Sequence, residues 1–324
     1  MHQVLRSALA AFGLAAAALS ATAQTDWPNR PIKWVVPFAP GGPTDAISRV
    51  LSARLAESLG QGVVIENRSG ASGAIGSEFV ARAAPDGYTV VFGTQSTHAS
   101  NLVFFPNMAF DPIRDFQPLT LVGTSCLALI VPPNVAATTA RELVEWIGRQ
   151  GGAASYGTAA AGSSQHVAAE LMLRNSNVRA THVPYRGSGA AMPDLLGGRL
   201  TFMFDNLPSS LPLARSGKVK ALAQTCAKRS PSAPDLPTMV EAGFKDFVIE
   251  GWYGVFAPAR TPRAIAERLS AEINKALRHP ESMERWKTLG FDPIGSTPDQ
   301  LSERQRGDLD YWRRMIEFTG VKVE

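Results

Sequence analysis

The stretch Val35-Val36-Pro37-Phe38-Ala39-Pro40-Gly41-Gly42-Pro43-Thr44-Asp45 carries the clearest chemical signal in the chain: it is built to attract an anion. Ile32 to Val36 is apolar and rich in β-branched residues, as a buried strand is. Beyond the stretch, Ile47, Val50, Leu51, Leu55 and Leu59 recur at helical spacing, with Ser48, Arg49, Arg54 and Glu57 on the other side. A strand-to-helix turn leaves the first amide N–H groups of the helix unpaired, and the helix dipole favours negative charge there. Thr44 or Asp45 is the expected N-cap. A tight turn with no ligand would use the same residues, so the turn alone leaves both readings open.

A second passage has the same build. The strand Ala154 to Thr158 runs into the loop Ala159-Ala160-Ala161-Gly162-Ser163, and a helix follows from Ser164 to Asn175 with His166 in its first turn. It too presents amides and hydroxyls. His166 has no acid or base partner visible in the sequence and reads as structural. Gln95-Ser96-Thr97-His98 is a polar loop at the end of the strand Tyr88 to Thr94, with Ser96, Thr97 and His98 on the ligand side. Arg186 lies at another strand end, where it meets either a distal ligand carboxylate or solvent. Asp205 ends the apolar strand Leu200 to Asp205, and capping of the following turn is one role for it.

Other chemistries lack their residues. There is no G-x-S-x-G elbow, no H-E-x-x-H and no cysteine–histidine metal spacing, which argues against an exported hydrolase and against a metal site. The glycine-rich turns do not match G-x-G-x-x-G, so no cofactor is expected. With 32 Lys and Arg against 28 Asp and Glu, the net charge is +4 and the basic residues are scattered, so no nucleic-acid surface is expected.

The elements that position these residues alternate strand and helix. Residues 1–23 stand apart: Arg6, an apolar run from Ala8 to Leu19 and Ala21-Thr22-Ala23 make a signal peptide, cleaved after Ala23. No later segment has the ~20 apolar residues of a membrane span. Glu66-Asn67 ends the second strand, and Arg68 to Gly76 is a glycine-rich turn into a helix from Ser77 to Ala84. Two long extended runs, Leu119 to Val131 and Val248 to Ala257, are long enough to pass from one sheet to another. Between them lies a second β-α-β-α-β unit; after them come helices from Thr261 to Leu277 and from Pro298 onward. This is an α/β chain of two doubly wound sheets. The two cysteines, Cys126 and Cys226, are either one disulfide of an exported protein or two buried thiols.

At this point the residues resemble a known family. Trp27-Pro28-Asn29-Arg30-Pro31-Ile32, Val36 to Asp45, Glu66-Asn67-Arg68-Ser69-Gly70-Ala71 and Asp86-Gly87-Tyr88-Thr89 are similar to the Bug receptors, the periplasmic substrate-binding proteins of tripartite tricarboxylate transporters. Gly162-Ser163-Ser164-Gln165-His166, His182-Val183-Pro184-Tyr185-Arg186-Gly187 and Asp194 to Arg199 continue the likeness, as do Phe204-Asp205, Arg229-Ser230-Pro231, Asp235-Leu236-Pro237-Thr238 and Glu241-Ala242-Gly243. It covers essentially the whole chain after the signal peptide.

The resemblance implies a two-lobed type II periplasmic-binding-protein fold, two doubly wound sheets joined by a two-strand hinge. Residues 24–122 and 252–324 would form lobe 1 and 123–251 lobe 2, with the C-terminal helices returning to lobe 1 and Trp252 and Tyr253 packing in the hinge. It implies a monomeric, soluble, periplasmic, non-enzymatic binder. The binder would close on a small carboxylate and deliver it to the membrane components of a tripartite transporter; a receptor feeding a sensor kinase is the alternative. One ligand carboxylate would be gripped by both turns, through the backbone of Phe38, Ala39, Gly41 and Gly42, with Thr44, Ser163 and Ser164 adding hydroxyls or caps. Asp45, Ser96, Thr158, His166 and Arg186 complete the expected ligand-side set. Asp205 would lie by the cleft, ordering a water or discouraging a second carboxylate. The same fold runs Cys126–Val131 antiparallel to Val219–Thr225, bringing Cys126 to Cys226 as a cross-strand bridge.

Overall fold

Strand and helix alternate from Ile32 onward and build two half-sheets of the same order. The computed structural model describes residues 27–320 apart from 106 and 290, so the signal-peptide reading of residues 1–23 lies outside the described residues. In the first half, β1 (Ile32–Val36) lies between β2 (Val63–Asn67) and β3 (Thr89–Thr94), all parallel. The crossovers are α1 (Pro43–Leu59) and α2 (Ala74–Ala81). Next come α3 (Asn101–Phe104), the long strand β4 (Phe116–Val131) and α4 (Ala140–Arg149). In the second half, β5 (Ser155–Thr158) lies between β6 (Thr181–Pro184) and β7 (Phe202–Asn206), again parallel, with α5 (Ser164–Asn175) and α6 (Ser188–Leu196) as crossovers. The order β2-β1-β3 is thus repeated as β6-β5-β7.

After α7 (Leu207–Arg215) and β8 (Lys220–Gln224), β9 (Glu250–Pro258) runs antiparallel between β3 and β4. β4 serves both halves. Its residues 116–126 pair with β9, and Leu127 to Val131 pair with β7 and β8, always antiparallel. Just before β9, the Ile249 amide donates to the Thr225 carbonyl and the Thr225 amide to that of Leu127, tying the second connection to the second half. Cys126 and Cys226 are joined by a disulfide with Cα atoms 5.3 Å apart, where β4 runs opposite to β8.

Each half has its own core. Trp34, Val36, Ile47, Leu51, Phe92, Leu269 and Ile273 pack in the first, and Leu127, Leu129, Tyr156, Met172, Phe202 and Phe204 in the second. The chain ends in α8 (Arg263–Leu277), α9 (Pro280–Leu289), the short β10 (Asp292–Pro293) and α10 (Pro298–Thr319). Among the described residues no helix is long and apolar enough to cross a membrane.

Four local features differ from the sequence reading. Gln95 to His98 is not a loop: Ser96–Ser100 is a helical turn running straight into α3, fixed by hydrogen bonds between Thr94 and Thr97 in both directions. The helix expected over Ser77 to Ala84 starts at Ala74, because Gly73 takes a left-handed conformation (φ 86°) that ends the preceding turn. α9 was not legible as a separate helix. Nor does α10 stay with the first half: Leu301 packs with Val35 and Phe256, but Trp312 sits in the core of the second half and the Tyr311 hydroxyl donates to the Val248 carbonyl.

Candidate functional site

The turns after β1 and β5 have the same conformation. In each a left-handed glycine, Gly41 (φ 85°) or Gly162 (φ 74°), precedes an extended N-cap residue, Gly42 or Ser163. In each the third helical residue reaches back to the amide of that glycine. Asp45 Oδ2 accepts from Gly41 N at 3.1 Å, and His166 Nδ1 accepts from Gly162 N at 3.1 Å. The expected caps are corrected accordingly. Gly42, not Thr44 or Asp45, caps α1; of Ser163 and Ser164, both offered as caps, it is Ser163 that caps α5, its Oγ accepting from His166 N. Asp45 is committed elsewhere too: Arg49 holds both its oxygens, and Asn67 Nδ2 bridges Asp45 Oδ1 and the Phe38 carbonyl. Burial works against its charge, but the hydrogen bonds from Arg49, Gly41 and Asn67 hold its pKa below the usual carboxylate value.

Between these turns, and between the halves, lies a cleft of roughly 900 Å³ including its mouth. From the expected set, Phe38, Ala39, Gly42, Thr44, Ser96, Ser163, Ser164 and Arg186 line it. Gly41, Asp45, Thr158, His166 and Asp205 do not. The Gly41 amide is taken by Asp45, so it is removed from the donors. The amides of Phe38, Ala39 and Gly42 in one turn, and of Ala160 and Ala161 in the other, have no acceptor among the described residues. Trp252 and Tyr253, expected in the hinge, also line the cleft.

The residues that miss the cleft support it from behind. Thr158 Oγ1 donates to the Ala160 carbonyl and meets His182 Nε2 at 2.7 Å. His166 stacks on His182 (3.8 Å between ring centres), and His182 in turn stacks on Tyr156. Burial, with the neighbouring His182 ring, lowers the pKa of His166 to about 3, so it is a neutral acceptor for Gly162 at ordinary pH. Asp205 is fully buried; burial raises its pKa, and it takes hydrogen bonds from Gln165 Nε2 (3.0 Å) and Ser209 Oγ (2.5 Å). Through Ser209 it is tied to the first turn of α7, and it does not line the cleft.

Three functional side chains were missed from the sequence. Gln165 joins the loop to its surroundings: Oε1 accepts from Ala159 N (2.6 Å), and Nε2 donates to Ser188 Oγ and Asp205. Asn101 donates to the Ser72 carbonyl and lines the cleft, as does the buried Gln95. Gln165 lay in a motif already singled out and Gln95 at the head of the polar loop after β3, but neither was named as a site residue.

No serine hydroxyl meets an imidazole nitrogen among the described residues; the hydroxyl–imidazole contacts are Thr97 to His98 and Thr158 to His182. His98 is enclosed between Phe116 and Phe256, and burial lowers its pKa to about 3. A neutral, fully enclosed imidazole is packing, not a proton relay.

Comparison with known proteins gives a consistent result. Residues 47–321 match the family described as tripartite tricarboxylate transporter family receptor. Protein BugT of Bordetella pertussis is 35% identical over 313 residues, covering 96% of each chain. Among solved structures, R. palustris Rpa4515 with adipate superposes at a TM-score of 0.89 with 35% identity, over 92% of this chain and 99% of that one. MatC from Rhodopseudomonas palustris with bound malate gives 0.84 and 32%, over 90% and 100%.

Proposed function

The chain belongs to the tripartite tricarboxylate transporter receptor family, the Bug-type solute-binding proteins, and on that footing we propose that it captures a small dicarboxylate between its two halves and hands it to a membrane transporter. The observation that carries this reading is the pairing of the two turns. Phe38, Ala39 and Gly42 on one side and Ala160 and Ala161 on the other line one cleft, and their amides are unspent. Neutral donors hold an anion without a buried basic side chain that would need its own partner. Each hydrogen bond to a charged group contributes ~1.5–3 kcal/mol. Three or four of them, less the cost of closing, reach micromolar affinity, about −8 kcal/mol.

Arg186, the one charged side chain among the described residues of the lining, is exposed at the cleft and suits a second carboxylate. The relatives solved with adipate and malate make four- and six-carbon diacids the first candidates. In this reading residues 24–122 with 252–324, and 123–251, are lobes that swing about β4 and β9, with α10 reaching from the first into the core of the second, and the protein works in the periplasm after its leader is removed. In this reading it binds and releases its ligand unchanged.

Thermal melting of refolded, ligand-free protein against a panel of diacids and neutral sugars tests this, because a ligand of the native state raises the melting temperature. Succinate, malate or adipate is expected to raise it. Sugars that raise it while every acid leaves it unmoved would refute the anion site.

A further inference from the structure

Gln95 stands apart from the other residues of the cleft wall. It follows β3, lines the cleft and is only 2% exposed, yet neither Oε1 nor Nε2 has a hydrogen-bond partner among the described residues. Buried side-chain amides with both ends unpaired are rare in folded proteins. Its neighbour Thr94, by contrast, is fully engaged with Thr97.

The chemistry of the wall narrows what completes it. Arg186 is the one charged side chain among the described residues that line the cleft, and Asp45 and Asp205, next in sequence to lining residues Thr44 and Asn206, are turned to other partners. An ammonium group on the ligand would therefore find no counter-charge there. A carboxylate is better served by the turn amides or by Arg186. A carboxamide offers a donor and an acceptor side by side, and its complement is a neutral group with the same pair of functions. The smallest such group is a hydroxyl: Nε2 donates to its oxygen and Oε1 accepts its proton.

We propose that Gln95 is a specificity residue through which the cleft selects hydroxy acids over matched acids that lack the hydroxyl. This rests on the carboxylate-capture reading and adds to it what the body of the ligand carries. A site built to pair a hydroxyl discriminates against the analogue without it, because the site's own polar atoms are then left unpaired.

The test is calorimetric titration of the ligand-free full chain with two matched pairs, succinate with malate and glutarate with 2-hydroxyglutarate. Wild type is expected to hold the hydroxylated member of at least one pair about ten-fold or more tightly. In Gln95→Met the ratio within that pair is expected to fall to near one. That variant replaces an unpaired buried amide by an apolar chain of similar shape, so it should melt no lower than wild type. Equal binding within both pairs by wild type overturns the inference, since a bound water would then be satisfying Gln95. A preference that survives in Gln95→Met overturns it as well. Wild type that binds none of the four acids overturns the capture reading, and this inference with it.

Discussion

Gln165 shows how much one side chain can hold at the edge of this cleft. Its three hydrogen bonds join the loop after β5, the start of α6 and the end of β7. Gln165→Leu leaves the Ala159 amide, the Ser188 hydroxyl and the Asp205 carboxylate each short of a partner, at ~1–3 kcal/mol for a buried group so abandoned. The expected outcome is a lower urea midpoint together with at least a ten-fold loss of affinity for succinate or malate, read by calorimetry. Unchanged affinity would show that the loop holds its shape without this clamp. The role was not legible in advance, because Ser188 and Asp205 lie 23 and 40 residues away. Sequence places a polar residue on a helix; it does not say what faces it. Of the two roles the sequence leaves open for Asp205, its bonds to Gln165 and to Ser209 favour the one at the turn after β7.

At the level of elements, the two helix starts were readable because the hydrophobic period changes from strand to helix across a run of small residues and prolines. The identity of the caps was not readable. Gly41 turns the chain left-handed, which moves the cap of α1 two or three residues ahead of Thr44 or Asp45, and Gly162 selects Ser163, the earlier of the two serines, for α5. Gly41 also isolates the cost of that conformation. A Cβ there meets nothing within 4 Å, so Gly41→Ala introduces backbone strain and no clash. It is expected to lower stability by ~1–2 kcal/mol, seen in urea unfolding, and to weaken acid binding by displacing the neighbouring amides. Gly73→Ala should be worse, since its Cβ would lie 2.5 Å from Thr97 Cγ2.

Across the whole molecule, the repeat β2-β1-β3 and β6-β5-β7 and the two long strands between them were legible from alternation and length. The destination of α10 was not: Leu301, Trp312 and Met315 announce a buried face without saying which half buries it. The disulfide closes a loop of 100 residues around the second half. In the chain-entropy account, replacing both Cys126 and Cys226 by Ser should remove up to ~4.7 kcal/mol of stability. Urea unfolding of the double variant and of reduced wild type, each against oxidised wild type, checks this; coincident curves would show the bridge to be without effect. α10 bears on motion differently. Gln305 pins it to the carbonyls of His98 and Pro112, Asp308 takes the indole N–H of Trp252 in the cleft wall, and Trp312 anchors its far end. If the halves are the jaws proposed above, a rod riveted to both limits their gape, and any wider yawn must tear out one rivet. Trp312, 1% exposed, sits at the far rivet, and in a variant whose other five tryptophans are replaced by Phe its emission should redden if the jaws part far enough to wet it.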